Sequence, residues 1–317
     1  MESYEKINTN IEYDPCIINY CSFGNFINDT EVELYITGTN KSKSKLFLHY
    51  FTHDLYSSNK KEKTFLFQTW NNTPSKIINY IIPIKTNNQN NNIKQSDGAF
   101  IFSSQLELFL FKDYNKYLID DELYFKPKIE GDLIYGLISN IGLKIFDINK
   151  KETKKIIYPG KKHIINDYLN SHENKNIIFV CEDKRIYIYD KTDEKSFISR
   201  RHKMELNLIC EASDDGKKFY AYSEEEKSLY LYDIRNINQY IGIIKTDIEI
   251  TKMIYNKLKN KLFYTEFCSQ GITCLDNLKQ ESIYEVDDDI KDFEFHPGFE
   301  FMNIIKENNS VNIINVN

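Results

Sequence analysis

Apolar and polar residues alternate along most of this chain, with a period of two. Residues 205–233 show the pattern well: "ELNLICEAS", a "DDGKK" turn, "FYAYS", an "EEEK" turn, then "SLYLYD". Period two is the mark of strands, and polar clusters with Gly, Asp and Asn mark the turns between them. Residues 290–316 repeat the scheme, with "HPG" and "ENNS" as turns. Short strands joined by tight polar turns predict an all-β protein.

One strand form recurs: apolar, any, apolar, apolar or aromatic, then usually Asp. It appears at 46–50, 108–112, 143–147, 186–190, 229–233, 272–276 and 311–315. The last positions lie 62, 35, 43, 43, 43 and 39 residues apart. A period of about 40–45 residues with several strands per unit resembles the WD40 β-propeller. Such a unit cannot bury both its faces alone and stacks against its neighbours. The resemblance implies a seven-bladed WD40-type propeller spanning 1–317 as one domain. The 62-residue interval holds "KTNNQNNNIKQSDG" (85–98), a polar segment with nothing to bury that reads as a disordered insertion. The seventh match runs almost to Asn317, so the fourth strand of that blade is expected from "KINTNIEY" (6–13), pairing first with last and closing the ring.

Composition agrees. Tyr (23) and Phe (21) are abundant, and both favour strands. The formal net charge of −6 argues against a dedicated nucleic-acid binder. No apolar run is long enough to span a membrane, and "MESYEKINTN" has no signal-peptide core. The six cysteines form no C-x-x-C pair, so no metal site is expected, and buried free thiols in a reducing compartment are. These features together predict a cytoplasmic monomer.

The WD40 letters themselves have drifted. Trp-Asp has become Tyr-Asp or Phe-Asp, and the Gly-His pair survives only as His163 and His202. In that family the His and Asp belong to a buried network that locks neighbouring loops. Asp147, Asp190, Asp233 and Asp276 therefore read as structural closers of their strands, and a structural reading of His202 stands beside a catalytic one.

No nucleophile elbow, metalloprotease helix or Gly-rich phosphate loop is present. The acidic runs at 120–122, 224–226 and 287–289 read as solvated turns. The basic run Ser199-Arg200-Arg201-His202-Lys203 reads either as an anion grip or as a solvated loop.

Residues 197–240 also resemble one blade of the diphthine methylesterase family. The carriers are Arg200-Arg201-His202-Lys203-Met204, an acidic turn, and Tyr232-Asp233-Ile234-Arg235-Asn236. The preceding blade, with His163, Glu182-Asp183 and Tyr189-Asp190, and residues 21–51 are loosely similar. The resemblance implies hydrolysis of the methyl ester of methylated diphthine on translation elongation factor 2, without a cofactor. It points to His202 or His163 as base and to Arg200, Arg201 and Glu225 at the substrate. Glycines of the family's turns are replaced here by "CEDKR" and "YSEEE". The alternative expectation is a non-catalytic WD40 scaffold for complex assembly or trafficking, with other proteins as partners.

Overall fold

The computed structural model describes residues 7–9, 16–26, 31–40, 45–54, 65–71, 78–83, 99–103, 107–112, 115–122, 124–139, 141–160, 163–171, 173, 175–193, 197–296 and 301–316. The 85–98 insertion lies outside them.

The strands run in chain order. Strand β1 (Ile7–Thr9) precedes β2 (Cys16–Phe26), β3 (Glu31–Asn40), β4 (Lys45–Asp54) and β5 (Phe65–Asn71). Next come β6 (Ile78–Pro83), β7 (Ala99–Ser103), β8 (Glu107–Lys112) and β9 (Asn115–Asp120). Then follow β10 (Phe125–Glu130), β11 (Leu133–Ile138), β12 (Gly142–Asp147) and β13 (Glu152–Ile157). After these are β14 (Ile165–Asn170), β15 (Asn176–Cys181), β16 (Arg185–Asp190) and β17 (Phe197–Arg201). The next four are β18 (Leu208–Glu211), β19 (Lys218–Ser223), β20 (Ser228–Asp233) and β21 (Asn236–Lys245). The chain continues through β22 (Ile250–Asn256), β23 (Lys261–Glu266), β24 (Gly271–Asp276) and β25 (Lys279–Glu285). It finishes with β26 (Ile290–Phe295), β27 (Phe301–Lys306) and β28 (Val311–Asn315).

Each consecutive set of four, from β2 onward, forms a four-stranded sheet in sequence order. The last sheet has the order β1-β28-β27-β26. Strand β1 pairs antiparallel with β28, Ile7 opposite Ile313 and Thr9 opposite Val311. Every occurrence of the recurring strand form is the third strand of its sheet.

The blade count requires a correction. The repeat spacing predicts seven blades; the strands pair into seven four-stranded sheets, of which five stand as propeller blades. The sheets β2–β5 and β6–β9 share the strand order of the others. Strand spacing in a sequence reports pairing; a blade is also defined by what both its faces pack against.

The chain divides into two compact units. One comprises residues 1–138, 144–155 and 291–317, the other 139–143 and 156–290. The second holds β14–β25 whole, and its packing explains the sequence. Strand β19 is buried on both faces. Its Phe219 and Ala221 pack with Ile178, Val180, Ile186 and Ile188 of the preceding sheet. Its Tyr220 and Tyr222 pack with Ile250, Leu262, Tyr264 and Leu275 of the following one. Alternate residues thus serve alternate neighbours, and each fully buried side chain of this size contributes about 1.5–3 kcal/mol. Outer strands carry the polar residues: β21 is exposed along most of its length.

In the first unit, the faces of β2 and β3 meet the last sheet through Ile18, Leu34, Ile36, Phe301, Ile305 and Ile313. There the ammonium of Lys144 is buried between Asp120 (2.5 Å) and Glu122 (2.6 Å). It also lies 5.5 Å from the ring centres of Tyr124 and Phe146.

Candidate functional site

The candidate residues gather around the turn between β15 and β16, in the second unit. Lys184 closes that turn with φ of +62°, a left-handed conformation that non-glycine residues seldom adopt. Its amide donates to the Cys181 carbonyl at 3.1 Å, and its own carbonyl accepts the His202 amide at 2.7 Å. Its ammonium donates to Glu225 Oε2 at 2.9 Å, in the corresponding turn of the next sheet. That contact holds the Glu225 carboxyl below its ordinary value. One lysine therefore ties its own turn to the loop entering β18 and to the turn between β19 and β20.

The main-chain part of this arrangement repeats. Lys227, also at positive φ, accepts the Thr246 amide at 2.9 Å, and the Gln270 carbonyl accepts the Val286 amide at 2.8 Å. His202, Thr246 and Val286 are thus equivalent positions, each just past an outermost strand.

His202 is half-buried. Its Nδ1 shares a hydrogen bond of 3.3 Å with the Tyr232 hydroxyl, and the rings meet edge-on at 5.3 Å. Phe219 stacks on Tyr232 at 5.2 Å. Burial lowers the His202 pKa and keeps the ring neutral. Its Nε2 is buried with no hydrogen-bond partner among the described residues. Asn166 reinforces this loop, its amide donating to Glu205 Oε1 (2.8 Å) and to the Leu206 carbonyl (2.9 Å).

His163 sits differently, partly open to solvent. Its Nε2 lies 3.5 Å from Asp183 Oδ2, and its ring stacks on Tyr187. The Tyr187 hydroxyl donates to the same carboxylate oxygen at 2.9 Å, and Arg185 Nε approaches it at 3.5 Å. Burial, then Asp183, pushes the Tyr187 hydroxyl up to about 12. Gly160, at φ +121°, makes room here, since a Cβ would lie 2.8 Å from His163 Cδ2.

Arg200 and Arg201 end β17, exposed, and Lys203 follows them. Register sets Arg201 directly opposite Arg185, and Arg200 opposite Ile186. The four aspartates sit elsewhere, at the last positions of third strands, and cap their own turns. Asp147 accepts from the Lys150 amide at 3.0 Å. Asp190 accepts from the Thr192 amide (2.7 Å) and hydroxyl (2.6 Å). Asp233 accepts from the Arg235 amide at 2.9 Å and forms an ion pair with its guanidinium. Asp276 accepts from the Asn277 side chain at 2.8 Å. Aspartates commonly bond the main chain one or two residues on in this way.

The structure thus brings His202 and Glu225 onto Lys184, with Arg200 and Arg201 on the strand just before His202, and His163 into the adjoining cluster on Asp183. Lys184, Arg185 and Tyr187 carry much of the geometry and stood outside the candidate set. A lysine at positive φ leaves little signature, although Lys184 and Lys227 lie one 43-residue repeat apart. Chemically, the Asp183–His163 pair can orient an imidazole, while His202 has one nitrogen engaged and the other enclosed. Among the described residues no group of three or more His, Cys, Asp or Glu is placed to hold a metal ion. No helix there is long and apolar enough to cross a membrane.

No family model matches this chain. It is 28% identical over 160 residues to Regulatory protein RecX of Finegoldia magna, covering 48% of this chain and 74% of that one. Among solved structures it is similar to the WD40 beta propeller domain of Doa1, with a TM-score of 0.66 and 8% identity. That likeness covers 99% of this chain and 97% of the other. At such identity it is a likeness of fold, and the fold is that of a WD40-type β-propeller. The resemblance to diphthine methylesterases gains no support from these likenesses.

Proposed function

We propose that this protein is a non-catalytic scaffold that holds other proteins through the turns and loops at the ends of its sheets. The WD40-type fold supports an interaction role of this kind. The observation that carries the reading is the Lys184 turn. It fixes the loop that follows Arg200 and Arg201 and bears Lys203 by a main-chain bond, and reaches the neighbouring sheet through Glu225. Exposed side chains on a rigid frame suit binding.

The esterase reading is weaker on the same geometry. His202 is engaged at Nδ1 and enclosed at Nε2, which fits a residue that holds a loop. The test has two arms. Cross-linking and mass spectrometry on the tagged chain in its own cells should yield stoichiometric protein partners reproducibly. Purified, folded protein should release no methanol from methylated diphthine on elongation factor 2. Methanol release that is lost in His163→Ala or His202→Ala protein of unchanged melting temperature would overturn the scaffold reading.

A further inference from the structure

Three exposed cations, Arg200, Arg201 and Lys203, fall within four residues of a chain with a net charge of −6. Among the described residues none of the three forms an ion pair, and the acids nearby are already engaged. Glu225 is taken by Lys184, and Asp183 by Tyr187, His163 and Arg185. Glu205 accepts from Asn166.

The register sharpens the point. Residues directly opposite on paired strands project from the same face, so the Arg201 and Arg185 side chains share one. Arg185 is also held there by Ser199 Oγ, 3.3 Å from its Nη1. Like charges placed so are unfavourable in the free protein. On the opposite face of β17, Arg200 stands two residues from Ile198, which is 53% exposed. Strand β17 is the outermost of its sheet, and Ile198, Arg200, Arg201 and Lys203 are exposed.

We infer that the end of β17 is a docking surface for an acidic segment of a partner protein, gripped by Arg200, Arg201 and Lys203. Carboxylates would satisfy the guanidiniums of Arg200 and Arg201 in bidentate pairs. Ile198 offers an apolar contact beside them. The inference rests on the scaffold reading and names the chemistry of the partner.

Fluorescence anisotropy on the full chain tests it, with a labelled decaglutamate peptide as probe. The peptide should bind, weaken as salt rises from about 0.05 to 0.3 M, and lose roughly tenfold or more in affinity with Arg200→Glu/Arg201→Glu/Lys203→Glu. The same reversals at exposed Lys150, Lys151 and Lys279 should change affinity far less. A labelled decalysine peptide should not bind, and a ten-nucleotide dT strand should bind more weakly than decaglutamate. Absence of decaglutamate binding, or equal losses in both triple variants, overturns the inference, as does tighter binding of the oligonucleotide. Arg201→Glu alone should leave the melting temperature unchanged or raised, since it sets an acid opposite Arg185. If cellular partners stay bound to the triple variant, the acidic-segment inference fails while the scaffold reading stands.

Discussion

Tyr232 and His202, 30 residues apart, join β20 to the loop that enters its sheet, hydroxyl to Nδ1 at 3.3 Å. Tyr232→Phe removes the hydroxyl and leaves Nδ1, like Nε2, without a hydrogen-bond partner among the described residues. Stability should fall by about 0.5–1.5 kcal/mol, read from urea denaturation at pH 7.5. An unchanged midpoint would show that the bond holds nothing.

The same histidine gives a pH dependence of known sign. Burial lowers its folded pKa from the ordinary 6.5, so the unfolded chain binds the proton more readily. The cost is absent above the unfolded value and grows as pH falls from there toward the folded one. Stability should therefore drop as pH falls below about 6.5, and less steeply in His202→Gln. Equal slopes in the two proteins would exclude His202 as the source.

A second lock lies deeper. Asp167 on β14 is 7% exposed, and its Oδ2 accepts the Ile209 amide of β18 at 3.0 Å. Asp167→Ala strands a buried amide and should cost about 1–3 kcal/mol, whereas Asp167→Asn keeps an acceptor and should cost less. Parallel urea titrations decide this, and a reversed order would show that the carboxylate matters for another reason.

In the first unit, Lys144 neutralises Asp120 and Glu122 from a site only 3% exposed. Lys144→Met should cost about 3 kcal/mol, since it leaves Asp120 buried without its cation. Asp120→Asn added to it should recover part of the loss. Additive losses in the double variant would mean the two residues act independently.

Strand β1 is short, but it covers the edge of β28, whose first four residues are buried. Deleting residues 1–15 should lower the melting temperature by several degrees and promote aggregation through the bared edge. A truncated chain that melts with the full one would refute this.

Much of the strand order was legible in the sequence, because the third strands carry a repeated pattern and the turns between them are polar. Asp190 and Asp233 marked their strand ends well. The blade count did not follow from spacing. The site was legible only in part. Arg200, Arg201, His202 and Glu225 stood out by residue type, but the lysine that organises them did not. Its role rests on a left-handed backbone and a carbonyl, and neither is written in a side chain. The pairing of Arg185 with Arg201 was equally hidden, since register depends on where β17 starts after a turn of variable length.

The repeated bond from a turn carbonyl to the amide after an outermost strand uses no side chain at all. His202, Thr246 and Val286 occupy the same station with different chemistry. Mutation can therefore rewrite the letter at each station without loosening the joint beneath it. Each such station is open to take on a new task while the joint beneath it holds.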